Sequence, residues 1–323
     1  MKLTVVIPAF GAMRSEGERL AEKFRAFAEV LVADGRDLGD ARNRGLAAAH
    51  GQWVLFLDAD DDFDADWLAH FDFGEAGDVD AVRVGNVEFL DGEQPRYGGA
   101  GAAVRVDCRG RLDYARCDSW MWQWIYRREK ILGLKFDAVS HPASDDALFL
   151  HEFLFTRLDG FLDVPRACHG YRVHRGSYTR RYPSAAVWRG ELAWRLKALR
   201  LVRQSTRPIV NFLNSVTLHH FPAVLYVVGL EGRPASETRE LWRLWFEALR
   251  ELAAVGEAPP SYRRRYRACL RLPFRFWQRF VCVTWGVRRR ELKGQLKWSG
   301  AGEPAYQYQL EDLRELQRRE GIA

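Results

Sequence analysis

The chain has 323 residues, of which 47% are hydrophobic, and it carries a net charge of +6. This length and apolar content allow a substantial core and favour two domains. Five cysteines without a Cys-x-x-Cys spacing argue against a disulfide framework or a zinc ribbon, and the amino terminus has no signal-peptide layout. The sequence therefore predicts a cytoplasmic protein.

Charge is distributed unevenly along the chain. Residues 1–170 hold 20 Lys and Arg against 30 Asp and Glu, a net charge of −10, whereas residues 171–323 have a net charge of +16. Such asymmetry predicts a polyanionic partner or an anionic membrane surface for the second half. The alternative is that basic helices are simply solvated and balance the acidic half.

The first elements alternate between strand and helix patterns. Residues 3–10, LTVVIPAF, predict a buried strand, and residues 15–29 carry Leu and Phe at helical spacing. A second strand follows at residues 30–33 and ends in a turn at Asp34. Asp34 is either a turn residue before glycine or a ligand contact.

The next stretch, residues 39–68, places acidic side chains at the end of a buried strand. Asp40 is predicted to cap a short helix that Gly51 ends, and residues 53–57, WVLFL, predict a strand buried on both faces. Six aspartates then occur within residues 58–66. They repel one another unless a cation or hydrogen-bond donors lie among them, and strand carboxyl ends commonly bind ligands. The alternative is an acidic loop in which Asp64 or Asp66 caps the next helix.

This arrangement resembles the family-2 glycosyltransferases, enzymes of the Rossmann-like type A fold. The resemblance is carried by the opening strand, the A-R-N-x-G-L helix at residues 41–46, and the D-x-D pair Asp58 and Asp60. It covers residues 3–178 and implies that Asp58 and Asp60 hold a divalent metal, Mn²⁺ or Mg²⁺, against the pyrophosphate of a nucleotide sugar. It also implies that Pro8 and Phe10 lie under the nucleotide.

The second strand departs from the family pattern. Members usually have two adjacent acids and a serine at its turn, and then another helix and strand, whereas Arg42 follows Asp34 after only seven residues. The sequence therefore predicts a shortened βα region. By resemblance, Asp34 contacts the nucleobase and Arg42 contacts the base or a phosphate.

The region from residue 119 to residue 149 resembles the acceptor side of the family's site. It begins with SWMWQWIYRR, in which Trp122 and Trp124 are predicted acceptor contacts or, alternatively, core side chains. Asp145 and Asp146 resemble the family's E-D pair, which implies that Asp146 is the catalytic base, with Asp145 the next candidate. An inverting transfer needs one such carboxylate to take the proton of the acceptor hydroxyl. Alternatively, the pair caps a helix.

The predicted catalytic domain closes at residue 178. The stretch HGYRVHRGSY at residues 169–178 resembles a segment near the diphosphate. The resemblance implies that His174 is a third metal ligand or donates to a phosphate, and that Arg175 clamps a phosphate. The alternative for His174 is a structural role. Residues 179–323 are predicted to form a mainly α-helical, basic domain for the acceptor, in which the uncharged residues 208–230 form a buried helical hairpin rather than a membrane span.

Two acceptor classes fit the basic second half. Arg-rich segments with interleaved aromatics, among them Arg263, Arg264 and Arg265, suit a nucleic acid, so a hydroxymethylated base in DNA is slightly favoured. The alternative is a cell-envelope or lipid-linked glycan, which would place the enzyme peripherally at an anionic membrane surface. A third hypothesis is a non-enzymatic nucleic-acid-binding module. The sequence predicts a glycosyltransferase that uses a nucleotide sugar, most simply a UDP-sugar.

Overall fold

The computed structural model describes most of the first two thirds of the chain and little of the last third. The described residues are 2–9, 11–99, 101–117, 120–137, 145–173, 185–212, 243–244, 247–248, 250–251 and 271. The chain forms two compact units, one comprising Met1–His174 with Gln204–Val210 and the other comprising Arg175–Arg203 with Asn211–Ala323. The predicted boundary between residues 178 and 179 lies outside the described residues and stays a prediction.

The first unit alternates strands and helices at its start and is richer in strands afterwards. Its strands are β1 (Leu3–Pro8), β2 (Glu29–Ala33), β3 (Trp53–Phe56), β4 (Asp62–Phe63), β5 (Ala81–Leu90), β6 (Val104–Asp107), β7 (Leu112–Asp113), β8 (Trp124–Arg127), β9 (Gly160–Val173) and β10 (Ile209–Val210). Its α-helices are α1 (Arg14–Ala21), α2 (Leu38–Ala48), α3 (Ala65–His70), α4 (Arg128–Ile131) and α5 (Asp145–Thr156). Three short 3₁₀ helices are Gly11–Met13, Tyr114–Arg116 and Met121–Gln123.

Eight of these strands form one mixed sheet in the order β2-β1-β3-β8-β5-β9-β4, with β6 added beside β9. Strand β1 pairs in parallel with both β2 and β3, and β8 runs antiparallel between β3 and β5. The carboxyl end of β3 and the start of β8 therefore lie at the same edge of the sheet. This architecture confirms the predicted α/β class.

The centre of the sheet is buried on both faces, which explains the unbroken apolar runs. Every residue of β1 and β3 is buried, including Val5, Val54 and Leu55 at 0% exposure. Helix α2 packs very closely on this sheet, because a Cβ at Gly45 would lie 2.3 Å from a methyl carbon of Val6. This close approach holds α2 against β1 and β2.

Strand β2 lies at the edge of the sheet, and α2 begins only four residues after it ends. A full βα unit would need a helix and a further strand in this interval, so the predicted shortening is confirmed. Residues 29–32 are half-buried, unlike the fully buried strands beside them.

Two local predictions about helix α2 are wrong. The side chain of Asp37, not Asp40, caps the helix by accepting a hydrogen bond from the Asp40 backbone N–H at 2.8 Å. The helix ends at Ala48, and Ala49 is already extended, so Gly51 is not its C-terminal glycine. Gly51 instead lies against the backbone of Thr4, where a Cβ would be 2.6 Å from the Thr4 nitrogen. A close strand approach, and not a helix end, accounts for this glycine.

The second unit is described mainly through helix α6, Ala185–Gln204. Leu192, Leu196 and Leu199 are buried at helical spacing along it, as expected for an amphipathic helix. The rest of the predicted helical domain, including most of residues 208–230, lies outside the described residues. Within the described part of the chain, no helix has the length and apolar character needed to cross a membrane.

Candidate functional site

The acidic segment turns back sharply after strand β3. The Asp61 backbone N–H donates to the Asp58 carbonyl oxygen at 3.0 Å, and β4 then pairs with β9 at the far edge of the sheet. Asp58 and Asp60 lie in this turn, and both side chains are half-buried. The turn therefore presents the predicted D-x-D pair at the carboxyl edge of the sheet.

The later aspartates of the segment have structural partners. The carboxylate of Asp62 accepts two hydrogen bonds from the Lys23 ammonium at 2.7 and 2.8 Å. Asp64 caps helix α3 through the Trp67 backbone N–H at 3.0 Å and forms an ion pair with Arg166 at 2.8 Å. Asp64 therefore fulfils the alternative capping role that the sequence allowed, while Asp66 is exposed.

Asp61 is buried beside a histidine that the sequence analysis did not single out. It accepts the Arg172 backbone N–H at 3.0 Å, and its carboxylate lies 3.4 Å from Nε2 of His169, which is fully buried. Burial, together with the charges of Asp58 and Asp60, raises the pKa of Asp61 well above its usual range. Burial lowers the pKa of His169 to about 3, so this imidazole is neutral near pH 7.

One guanidinium connects the two predicted motifs. Arg42 is 2% exposed, and its Nη2 donates to Asp58 at 2.8 Å while its Nη1 donates to Asp145 at 3.0 Å. These charges raise the pKa of Arg42 against the opposing effect of burial, so it remains a cation. Arg42 therefore contacts two carboxylates. Its predicted contact with the base or a phosphate of the donor stays a prediction.

The neighbouring asparagine fixes the position of Arg42. Asn43 donates to the Phe136 carbonyl oxygen at 2.7 Å and accepts the Phe136 backbone N–H at 3.0 Å. The Arg42 guanidinium lies 5.5 Å from the centre of the Phe136 ring, which in turn stacks on Phe149 of helix α5 at 4.0 Å. The A-R-N helix is thus tied to the segment before α5 and to α5 itself.

Asp145 and Asp146 form the first turn of α5, where the helix dipole favours negative charge. Asp145 is 3% exposed and is compensated by Arg42, whereas Asp146 is half-buried and accepts the Ala147 backbone N–H at 2.7 Å. Burial, with the charge of Asp145 as the second cause, raises the pKa of Asp146 to about 7. A carboxylate with this pKa can exchange a proton near neutral pH.

The predicted nucleoside contacts lie at β1 and β2, on the side of β3 opposite to β8. Pro8 is buried at the end of β1, and the side chain of Asp34 is 61% exposed after β2, 3.7 Å from Arg14. Asp34 lines a surface cleft of about 410 Å³ along the outer edge of β2, together with Arg44 and Gly45. None of the acidic-segment residues lines this cleft.

The tryptophans differ in exposure. Trp124 is fully buried against Phe153 and Phe161, and Trp122 is 7% exposed and stacks on His169 at 4.0 Å. Trp120, which the sequence analysis did not select from the same run, is 58% exposed. The acceptor roles of Trp122 and Trp124 stay predictions. Phe10, His174, Arg175, Arg263, Arg264 and Arg265 lie outside the described residues.

A divalent metal fits the donor set at this edge in part. Carboxylate oxygens are suitable ligands for Mg²⁺ and Mn²⁺, and Mg²⁺ is often held by one or two carboxylates together with substrate phosphates. Asp58 and Asp60 provide such a pair in a half-buried turn. Among the described residues, however, no group of three or more His, Cys, Asp or Glu side chains is arranged to hold a metal ion. The described residues therefore leave room for further ligands, such as substrate phosphates or the predicted ligand His174, which lies outside the described part of the chain.

Comparison with known proteins gives one family-model match and several solved structures of similar fold. Residues 15–154 match the family model for glycosyl transferase family 2. No curated protein matches the chain. Among solved structures, S. aureus TarS 1–349 in complex with UDP-GlcNAc is 16% identical at a TM-score of 0.55, with 88% of this chain and 89% of that chain covered. A longer S. aureus TarS structure is 17% identical at a TM-score of 0.51, with 88% and 54% covered. These likenesses show a common type A fold.

Proposed function

We propose, because residues 15–154 match the family model for glycosyl transferase family 2, that the protein is a metal-dependent inverting glycosyltransferase. It moves a sugar from a UDP-sugar to an acceptor hydroxyl. The UDP-sugar is proposed because the similar TarS structure contains UDP-GlcNAc.

The proposal rests chiefly on the Arg42 bridge. Asp58 and Asp145 are 87 positions apart in sequence, yet both accept hydrogen bonds from the same guanidinium, at 2.8 and 3.0 Å. The acid pair expected to hold the donor's pyrophosphate and the helix expected to supply the base therefore lie side by side. Displacement at an anomeric carbon requires this proximity, because the attacking and leaving oxygens are on opposite sides of one atom.

On the donor side, Asp58 and Asp60 would hold the divalent metal. The bound metal supplies positive charge that stabilises the departing diphosphate. Arg42 holds one oxygen of Asp58 in place, and Asn43 fixes Arg42 through Phe136. Asp34, at the end of β2, is available to accept a hydrogen bond from the uracil ring.

On the acceptor side, Asp146 is the proposed base. It takes the proton of the acceptor hydroxyl as that oxygen bonds to the anomeric carbon and the bond from this carbon to the diphosphate breaks. A pKa of about 7 makes Asp146 a stronger base than an ordinary carboxylate, and about half of it is ionised at pH 7 and most of it above that pH. Asp145 is less suited to this role because it is 3% exposed and engaged by Arg42.

For the acceptor, the described site favours a saccharide over DNA. Residues 1–170, which contain the described reacting edge, have a net charge of −10. A phosphate backbone approaching this edge meets like charge, whereas an uncharged saccharide does not. DNA remains the second candidate because residues 171–323 have a net charge of +16.

The experiment that tests the proposal measures UDP binding by calorimetry, with Mn²⁺, with Mg²⁺ and with a chelator. We expect the wild-type protein to bind UDP tightly only in the presence of the metal, and Asp60→Asn to lose this metal-dependent increase. An amide of the same shape keeps the turn but loses the negative charge that the cation requires.

Asp66→Asn is the matched control, because Asp66 belongs to the same acidic segment but its side chain is 93% exposed. It should bind UDP like the wild type. Equal metal-dependent affinity of Asp60→Asn and wild type would contradict the proposed metal site. Hydrolysis of UDP-GlcNAc by the wild type, measured as released UDP, then extends the test from binding to chemistry.

A further inference from the structure

Trp120 is an exposed aromatic side chain on a firmly held backbone. Of the large hydrophobic side chains that the structure describes, Val104, Trp120 and Leu132 are exposed, and Trp120 at 58% is the aromatic one. The Trp120 backbone N–H donates to the Gln123 side-chain oxygen at 2.9 Å, and the Gln123 backbone N–H donates to the Trp120 carbonyl oxygen at 3.0 Å. Gln123 is in turn attached to strand β5 through the Val84 carbonyl oxygen at 3.2 Å.

The indole of Trp120 continues an aromatic stack that reaches into the protein. Its ring is nearly parallel to that of Trp122, with an angle of 14° and a centroid distance of 6.2 Å. Trp122 stacks in the same way on Tyr171, at 14° and 5.8 Å, and on the buried His169 at 4.0 Å. The supporting rings restrict Trp122, and they leave Trp120 as the outermost aromatic face of the stack.

The position of this stack relates it to the reacting edge. Strand β8 runs antiparallel to β3 with Leu55 opposite Ile125. The residues just before β8 therefore lie at the edge of the sheet where β3 ends, the edge that also carries Asp58. The 3₁₀ helix Met121–Gln123 contacts both β3 and α5, the helix that begins with Asp145 and Asp146. The hydroxyl of Tyr126 fastens this turn by donating to the Met121 carbonyl oxygen at 2.8 Å.

The strand order places the stack on the side away from the nucleoside. In the order β2-β1-β3-β8, Asp34 follows β2 and Pro8 ends β1, both on one side of β3, whereas Trp120 precedes β8 on the other side. If the donor extends from Asp34 after β2 to the acid pair after β3, Trp120 beside β8 lies where the acceptor binds.

From this placement we propose that Trp120 is an acceptor subsite, on whose indole a ring of an acceptor saccharide stacks. The inference rests on the proposed function and specifies its substrate. One face of a pyranose carries C–H groups and is apolar, so it matches the electron-rich face of an indole. A nucleic acid is less suited, because residues 1–170, which contain Trp120 and Trp122, have a net charge of −10.

The test measures binding of three probes to the full chain without nucleotide, by saturation-transfer NMR: chitobiose, maltose and a short oligothymidine. We expect at least one disaccharide to receive saturation at its ring C–H protons. Trp120→Ala and Trp120→Gln should weaken its binding about three- to tenfold, the size expected for one lost stacking contact, while Trp120→Phe keeps most of it. Leu132→Ala, which removes another exposed hydrophobic side chain, should bind as the wild type does.

Several outcomes would overturn the subsite. The first is equal disaccharide affinity in the wild type and Trp120→Gln. The second is an absence of disaccharide binding by the wild type. The third is a loss of binding in the Trp120 variants that affects only oligothymidine, which would assign the indole to a nucleic-acid base. Thermal unfolding of each variant identifies a folding defect. A midpoint that falls in both Trp120→Ala and Trp120→Gln would show that the ring is part of the core.

A failure of the proposed function can be distinguished from a failure of the Trp120 subsite. Metal-dependent UDP binding by the wild type tests the donor site without any acceptor. Disaccharide binding without nucleotide tests the indole without any donor. Normal UDP binding with unchanged disaccharide affinity in the Trp120 variants would therefore reject the subsite alone.

Discussion

Asp58 and Asp60 begin the same acidic run in which Asp62 and Asp64 follow, yet the two halves of the run have different surroundings. Asp62 contacts Lys23, and Asp64 contacts both a helix N-terminus and Arg166. Asp58 shares Arg42 with Asp145, and Asp60 lies half-buried in the turn. Identical side chains in one segment therefore serve folding in one half and, as proposed, ligand binding in the other.

The difference teaches that carboxylate density alone does not locate a reactive group. We call Asp58, Asp60 and Asp146 the reactive carboxylates, and Asp61, Asp62 and Asp64 the structural carboxylates. If this division is correct, changes in the first set reduce activity with little loss of stability, and changes in the second set do the reverse. Two substitutions test this division directly and a third tests the Arg42 bridge between the two motifs; they follow in order of expected effect.

The largest effect is expected from Asp146→Asn. An amide keeps the shape but cannot accept the acceptor's proton, so kcat should fall about 100- to 10,000-fold while UDP affinity stays near that of the wild type. The measurement is the transfer rate to a saccharide acceptor, with calorimetry for UDP.

The pH profile gives an independent check on Asp146. A base acts only when it is deprotonated, so a pKa of about 7 predicts a wild-type rate that falls tenfold per pH unit below about 7 and levels off above it. Asp146→Asn should lack this acid limb. If the variant retains the limb, or loses less than tenfold in kcat, the base is elsewhere and Asp145 is the next candidate.

The next effect is expected from Arg42→Met, which tests the bridge between the two motifs. Removing the cation leaves Asp145, which is 3% exposed, without its partner, so the free energy of unfolding should fall by about 3–5 kcal/mol. Urea denaturation measures this change.

Arg44→Met is the control for the bridge. Arg44 is on the same helix but its side chain is 60% exposed, 3.0 Å from Asp40. Its loss should cost no more than about 1 kcal/mol, as for other exposed ion pairs. A similar cost for both variants would mean that the buried bridge contributes nothing beyond a surface pair.

The smallest effect is expected from Asp64→Ala, a structural carboxylate. It removes the cap of α3 and the partner of Arg166, so unfolding should become easier by about 1–2 kcal/mol. The kcat of the folded variant should equal that of the wild type. A kcat loss greater than that of Asp60→Asn would contradict the division into two sets.

The sequence by itself predicted the α/β class, the shortened βα region at β2, and the order of strand, acid pair and acidic helix start. These features depend on local patterns: apolar runs of strand length at β1 and β3, and charges placed directly after a strand or at the start of a helix. It placed the cap and the end of α2 wrongly, because Asp37 and Asp40 are equivalent as sequence signals for a cap and only backbone geometry distinguishes them.

The tertiary structure decided which side chains meet. Arg42 and Asp145 are 103 residues apart, and Asp64 and Arg166 are 102 residues apart, so no local pattern could pair them. Folding also buried His169 beside Asp61, and it exposed Trp120 while burying Trp124 only four positions later. Local sequence fixes the type of an element and the charge it presents, whereas burial and ion pairing depend on contacts between distant segments, which exist only once the sheet is assembled.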